Sequence, residues 1–230
     1  MPSEGSLWDG RIIAVAKPAG ISSFKVVSRI RHACKIKRVG HAGTLDPFAE
    51  GVLVIGIGRT ATRQLGDLMR GDKEYLAEVV LGVTTDSGDL TGNIIARSDL
   101  PMPTTEAISS TLDNFRGEIE QIPPMYSALK IGGERLYKLA RKGEIVERKA
   151  RPAFIHELEL VRVNEDGFVI RVVCGHGTYI RTLAEDIGNS LGLGAHLRSL
   201  VRTRVGEFKL EGAWDLGKLT EVMSAGMVAN

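Results

Sequence analysis

No stretch constrains this chain more than Gly40-His41-Ala42-Gly43-Thr44-Leu45-Asp46-Pro47-Phe48-Ala49-Glu50-Gly51. Glycines, a histidine, a threonine and two carboxylates stand between a basic segment and an apolar run. That mixture suits neither a helix nor a strand interior, so a shaped loop is expected over Gly40 to Gly51. Loops held between rigid elements are where binding and catalytic groups concentrate. Pro47 biases Asp46 toward an extended backbone, which makes Asp46 the leading candidate for chemistry, with His41 in the same loop. The competing reading is an aspartate that only caps a turn ahead of Pro47. Replacing Gly43 is expected to damage the loop and catalysis together.

Around that loop the chain reads in order. Arg11 to Ala16 is a short buried strand ended by Lys17-Pro18-Ala19-Gly20. Ser22 and Ser23 open a helix whose apolar stripe is Val27, Ile30 and Cys34. From Lys25 to Arg38 its other residues include Lys25, Arg29, Arg31, Lys35, Lys37 and Arg38 with no acid among them. One sign of charge on a helix face suggests an anionic partner such as a phosphate backbone, against the alternative of a face that meets only water. Val52 to Gly58 is continuous and β-branched, as in a strand covered on both faces. A helix carrying Arg63 and Arg70 is expected over Thr62 to Met69, followed by a strand over Lys73 to Leu81 with Tyr75, Ala77, Val79 and Leu81 on one face. Tyr75 is then either a core plug or a surface for stacking a base.

Beyond Leu81, Thr84 to Asn93 reads as a polar connecting loop, since its Asp86, Asp89 and Thr91 lack the ligand alternation and terminal glutamate of a calcium loop. Thr104 to Phe115 is a helix capped by Thr104 or Thr105, Gln121 to Lys130 is extended through Pro123 and Pro124, and Glu134 to Arg141 is a short helix. Ala153 to Val163 and Phe168 to Cys174 form a hairpin-like strand pair. A helix begins near Thr178, its expected cap, and carries Tyr179 and Arg181 in the first turn. An arginine there opposes the macrodipole and needs a carboxylate or phosphate partner. Ala195 to Phe208 is a final strand with Arg198, Arg202 and Arg204 on one face, and Glu211 to Asn230 holds one helix, Leu216 to Met223, with a frayed end. The pattern predicts an α+β fold with a mixed, largely antiparallel central sheet flanked by helices.

Composition narrows the function. A net charge of +2 makes no whole-chain claim on nucleic acid, so such a claim rests on how the charge is distributed. Cys34 and Cys174 have no metal-ligand or disulfide spacing, and no apolar run is long enough for a membrane span. Met1 to Asp9 lacks the basic start and apolar run of a signal peptide. Gly56-Ile57-Gly58-Arg59-Thr60 lacks the third glycine and the Lys-Ser/Thr ending of a phosphate loop, so no nucleotide cofactor is expected.

Gly40 to Leu53 is very similar to the Gly-His-x-Gly-x-Leu-Asp-Pro-x-Ala-x-Gly-x-Leu motif of pseudouridine synthases of the TruB type, bacterial enzymes that modify the T-loop of tRNA. Lys17-Pro18-Ala19-Gly20, Asp72-Lys73-Glu74-Tyr75, Ile122 to Lys130 and Gly177-Thr178-Tyr179-Ile180-Arg181 resemble further signatures of that family, in the same order. The resemblance implies a pseudouridine synthase fold and isomerisation of the uridine at position 55. Asp46 resembles the catalytic aspartate, Tyr75 the aromatic that stacks on the flipped base, Tyr179 a proton-transfer tyrosine, and Arg181 the arginine that pairs with the aspartate. His41 resembles the residue that enters the T-loop, and Leu200 a pocket wall. Lys17, Pro18, Gly43 and Arg63 are expected on the substrate side, and Lys25, Arg29, Arg198 and Arg202 against phosphates. The implied partner is the T-arm stem-loop of tRNA, bound by a cytoplasmic monomer without metal, organic cofactor or membrane. Residues 1–210 are expected to form the catalytic domain and 211–230 a helical tail, with no complete RNA-binding domain of the small β-rich kind that most members carry. RNA affinity weaker than that of longer relatives follows. The alternative from another class is a non-catalytic module that binds and folds tRNA. A guide-RNA-dependent relative is disfavoured by the short N-terminus and the missing C-terminal domain.

Overall fold

The structure, a computed structural model, describes residues 7–226 apart from Ala128 and Ile145. The expectations for the first residues of Met1 to Asp9, for Ala128 in the extended stretch and for the end of the tail lie outside the described residues. In chain order the elements are β1 (Ile12–Lys17), α1 (Ser23–Cys34), β2 (Val39–Ala42), β3 (Glu50–Ile57), α2 (Gly58–Leu68), β4 (Lys73–Leu81), β5 (Val83–Thr85), β6 (Ile94–Arg97) and α3 (Thr105–Asp113). They continue with β7 (Gly117–Gln121), β8 (Lys130–Ile131), β9 (Glu134–Arg135), α4 (Leu136–Arg141), β10 (Arg151–Asn164), β11 (Gly167–Cys174), α5 (Ile180–Ser190), β12 (Ala195–Val205), β13 (Phe208–Lys209), β14 (Trp214–Asp215) and α6 (Leu216–Ser224). The chain forms two compact units, Met1–Glu74 with Val201–Asn230, and Tyr75–Leu200.

In the first unit β3 is the central strand. It runs antiparallel to β1 from Ile12↔Gly56 to Lys17↔Gly51, antiparallel to β2, and parallel to the end of β12 through Val201↔Glu50 and Arg202↔Gly51. Its apolar residues divide between two cores, which is why the run is continuous rather than alternating. Leu53, Ile55 and Ile57 pack with Val26, Val27 and Ile30 of α1 and Leu216, Leu219 and Met223 of α6. Val52 and Val54 pack with Ala14, Ala42, Leu65 and Val205 on the other side. Burying each such aliphatic side chain stabilises the fold by about 1.5–3 kcal/mol. Helix α1 starts where Ser22 accepts a hydrogen bond from the Lys25 amide and stops at Lys35 in the left-handed region, with Arg31 and His32 favourably placed in its last turn.

The second unit holds β12, β4, β11, β10 and β7 as neighbours in that order. Strands β10 and β11 form the expected antiparallel pair, and β7 extends it. Thr104 caps α3 by accepting from the Ala107 amide. The α+β expectation with a mixed, largely antiparallel sheet holds.

Three local expectations change. Gly40 to Ala42 is strand, not loop, because Gly40 pairs with Gly56 and the Leu65 side chain of α2 packs onto both, where a Cβ would come within 3.1 Å. Helix α2 begins at Gly58 rather than Thr62, and Glu134–Arg135 is a short strand before α4. Among the described residues no helix is long and apolar enough to cross a membrane, and no cluster of His, Cys, Asp and Glu could hold a metal ion.

Candidate active site

What remains of the loop, Gly43 to Ala49, is pinned at nearly every residue around Asp46. The Leu45 amide donates to Ser23 Oγ at 2.9 Å, and Ser23 Oγ donates back to the Leu45 carbonyl at 2.9 Å, both buried. Pro47 offers its carbonyl to the Gly20 amide at 2.7 Å and to Lys17 Nζ at 3.4 Å. Arg202 donates through Nε to Val52 O at 2.8 Å, through Nη1 to Thr44 O at 3.4 Å and through Nη2 to Gly43 O at 3.2 Å. The loop is therefore fixed on both flanks of Asp46, which is itself half-buried.

Two buried cations lie behind this loop. Lys17 and Arg202 are each 1% exposed. Lys17 Nζ also donates to Pro18 O and Ile21 O, both at 2.9 Å. Burial pushes its ammonium down from 10.5 to about 8, while the Asp46 charge opposes that fall and Arg202 adds to it. Burial likewise lowers the His41 imidazole, with the Gly43 backbone opposing. Its ring Nδ1 is buried without a hydrogen-bond partner among the described residues.

Lys17 and Arg202 thus depart from the expectation that they face RNA, because their charged heads are consumed by backbone carbonyls. Period-two spacing does put Arg198, Arg202 and Arg204 on one side of β12. Loop carbonyls cover that side at Arg202, whereas Arg198 is exposed and donates to Asp166 and Glu78. Its ion pairs hold the Asp166 carboxyl below its usual range and raise the Arg198 guanidinium. Exposed cations of the first unit include Lys25, Arg29, Lys35, Lys37 and Arg38 around α1 and Arg59 and Arg63 on α2, while Arg31 is half-buried and reaches Val39 O. Pro18 is exposed as well.

In the second unit, Tyr179 is the N-cap residue of α5 rather than a first-turn residue, and Thr178 does not cap but donates to Gly175 O. The cap is made from afar: the Gln121 side chain accepts from the Tyr179 amide at 3.0 Å and donates to its carbonyl at 3.2 Å. Arg181, 4% exposed, donates to Ser87 O and Tyr126 O, both at 2.7 Å, and its Nε lies 4.0 Å from Asp89. The carboxylate partner that its helix position called for thus includes Asp89. Asp89 is oriented by Ser87 Oγ, the Thr91 amide and Thr91 Oγ1. The 84–93 segment, read from sequence as a connector, is a bracket for this arginine. Tyr75 in β4 and Leu200 in β12 are buried at 8% and 6% exposure. Ser23, Gln121 and Asp89 were not anticipated; only the Ser87-Gly88-Asp89-Leu90-Thr91 spacing, typical of side-chain-capped turns, hinted at any of them.

The pinned loop lies within a span that known proteins match. A family model described as TruB family pseudouridylate synthase (N terminal domain) matches residues 31–180, and one described as tRNA pseudouridylate synthase B C-terminal domain matches 181–227. The chain belongs to the TruB family of pseudouridylate synthases. Within this family it is 50% identical over 212 residues to tRNA pseudouridine synthase B of Francisella philomiragia, covering 92% of this chain and 70% of that protein. The enzyme of the same name from Dehalococcoides mccartyi is 49% identical over 218 residues, covering 95% and 72%. A solved Cbf5-Nop10-Gar1 complex contains a chain similar to this TruB-family protein at a TM-score of 0.73 and 31% identity, covering 96% of this chain. The match spans 56% of that longer chain. The pseudouridine synthase fold expected from sequence is thereby established.

Proposed function

We propose that this chain converts one uridine in the T-loop of tRNA to pseudouridine, position 55 by its resemblance to the TruB type. The reaction detaches uracil from C1′ and rejoins it through C5, so the enzyme must reach a base that stacking hides. Extrusion of the nucleotide meets that need. Asp46 carries the chemistry, Tyr75 stacks on the base, Tyr179 serves proton transfer, and Arg181 stands where the resemblance puts the family's arginine. His41 takes up space vacated in the T-loop, Leu200 lines the base pocket, and the exposed cations of α1 and α2 meet phosphates. A cytoplasmic monomer acting on the T-arm alone is part of this reading.

The observation that carries the proposal is the loop itself. The stretch lies within the span matched by the family and folds so that Leu45 and Pro47 are tied to Ser23, Gly20 and Lys17 while Asp46 between them is only part-buried. Pre-paid positioning of this kind is what a reacting group requires. The test is single-turnover pseudouridine formation on a T-arm stem-loop with wild type and Asp46→Asn. Loss of turnover with binding intact is expected, and an Asp46→Asn protein that still turns over removes Asp46 from the chemistry.

A further inference from the structure

We propose that Arg202 is the positioning residue of the Asp46 loop, an assignment that rests on the catalytic role proposed for Asp46. A guanidinium offers five donors in a rigid planar fork. Three of them are taken by carbonyls on both sides of the loop: Gly43 and Thr44 where the chain leaves β2, and Val52 just beyond its return into β3. One flat group therefore fixes the span across which Asp46 is held. Its own backbone is fixed as well, because Arg202 pairs with Gly51 in the parallel β3–β12 contact. At 1% exposure the charge is solvated by peptide dipoles instead of water, so those dipoles are held in one orientation as long as the charge stays buried.

The arrangement excludes the phosphate-contact role that the sequence suggested, since the fork faces inward. It also separates arginine from lysine. A lysine head is a single point with a different donor geometry and cannot span three carbonyls on two chain segments.

The test compares wild type with Arg202→Lys, which keeps a buried cation, and Arg202→Gln. Three quantities are measured: T-arm stem-loop affinity as a function of salt, the single-turnover rate at saturating RNA, and hydrogen exchange of the Leu45 amide relative to the Leu53 amide in β3. The expected result is unchanged affinity and salt slope, a rate lowered about 100-fold as for a reacting group misplaced by about 1 Å, and faster exchange at Leu45 but not at Leu53. A salt slope reduced by about one with the saturated rate intact would mark a phosphate contact and overturn the proposal. Unchanged exchange at Leu45, or equal acceleration at Leu53, overturns it too. These exchange outcomes decide the matter even if the wild-type protein forms no pseudouridine, a result that would instead overturn the function proposed for the chain.

Discussion

Gly51→Ala is the substitution that most sharply tests how β3 and β12 hold the loop. Gly51 has φ +106°, outside the range that side chains tolerate, and a Cβ there would lie 2.2 Å from the Arg202 carbonyl oxygen and 2.8 Å from its nitrogen. The backbone strain alone costs about 1–3 kcal/mol. The overlap is with backbone, so the strands must separate by about 1 Å to reach an ordinary C···O contact of about 3.3 Å. That displacement loosens at least one charge-assisted bond of Arg202, worth about 1.5–3 kcal/mol. The sum is roughly 4 kcal/mol, a large share of a typical domain's stability. Gly43→Ala is the control. Its φ is +85°, but its Cβ would sit 3.7 Å from Arg202 Nη1, an ordinary contact, so it costs only about 1–2 kcal/mol. With a urea slope of about 3 kcal/mol per M, the two midpoints should differ by roughly 1 M. Urea unfolding of both variants measures this. Equal midpoints would refute the reasoning that the parallel pair leaves no room at Gly51.

Lys17 titrates near 8 in the fold against 10.5 in the unfolded chain. Between those values the unfolded chain binds more protons, so wild-type stability relative to Lys17→Met should rise by up to about 3 kcal/mol from pH 8 to 10.5; a flat difference in unfolding free energy would contradict it. Asp186 is pushed up from 3.8 to about 6, by burial first and Glu185 second. The folded protein therefore binds the extra proton between those values and loses stability as pH rises through them. Asp186→Asn should gain about 1–2 kcal/mol over wild type at pH 7.5 after allowance for solvent screening, a gain that fades toward pH 4. An equal gain at both pH values would count against this. Arg29→Glu and Arg63→Glu, both at exposed positions, should each weaken T-arm binding and reduce the salt slope while leaving the saturated rate intact. Unchanged binding would show that this face meets only water.

The larger elements were legible because their signals are local. The continuous run over Val52 to Ile57 marked a strand with cores on both faces, and Ser22 marked the start of α1. What sequence could not reveal depends on partners far along the chain. Gly40 read as loop punctuation, yet it pairs with Gly56 of β3 so that Leu65 can approach both. Arg202 read as an RNA contact because nothing near it announces the carbonyls of Gly43 and Thr44. Thr178 was the obvious local cap, but Gln121 caps the Tyr179 amide instead. Asp46 stands out by its motif. Its supports Ser23, Lys17 and Arg202 were visible only once the chain was folded.

The most direct test is mass-spectrometric mapping of pseudouridine in tRNA lacking the modification, after incubation with wild type or with Asp46→Asn. The account predicts pseudouridine at a single T-loop uridine with wild type and none with Asp46→Asn, although both bind the tRNA. Equal modification by the two proteins, or tRNA binding by wild type with no pseudouridine formed, would contradict it and leave a module that binds tRNA without altering it.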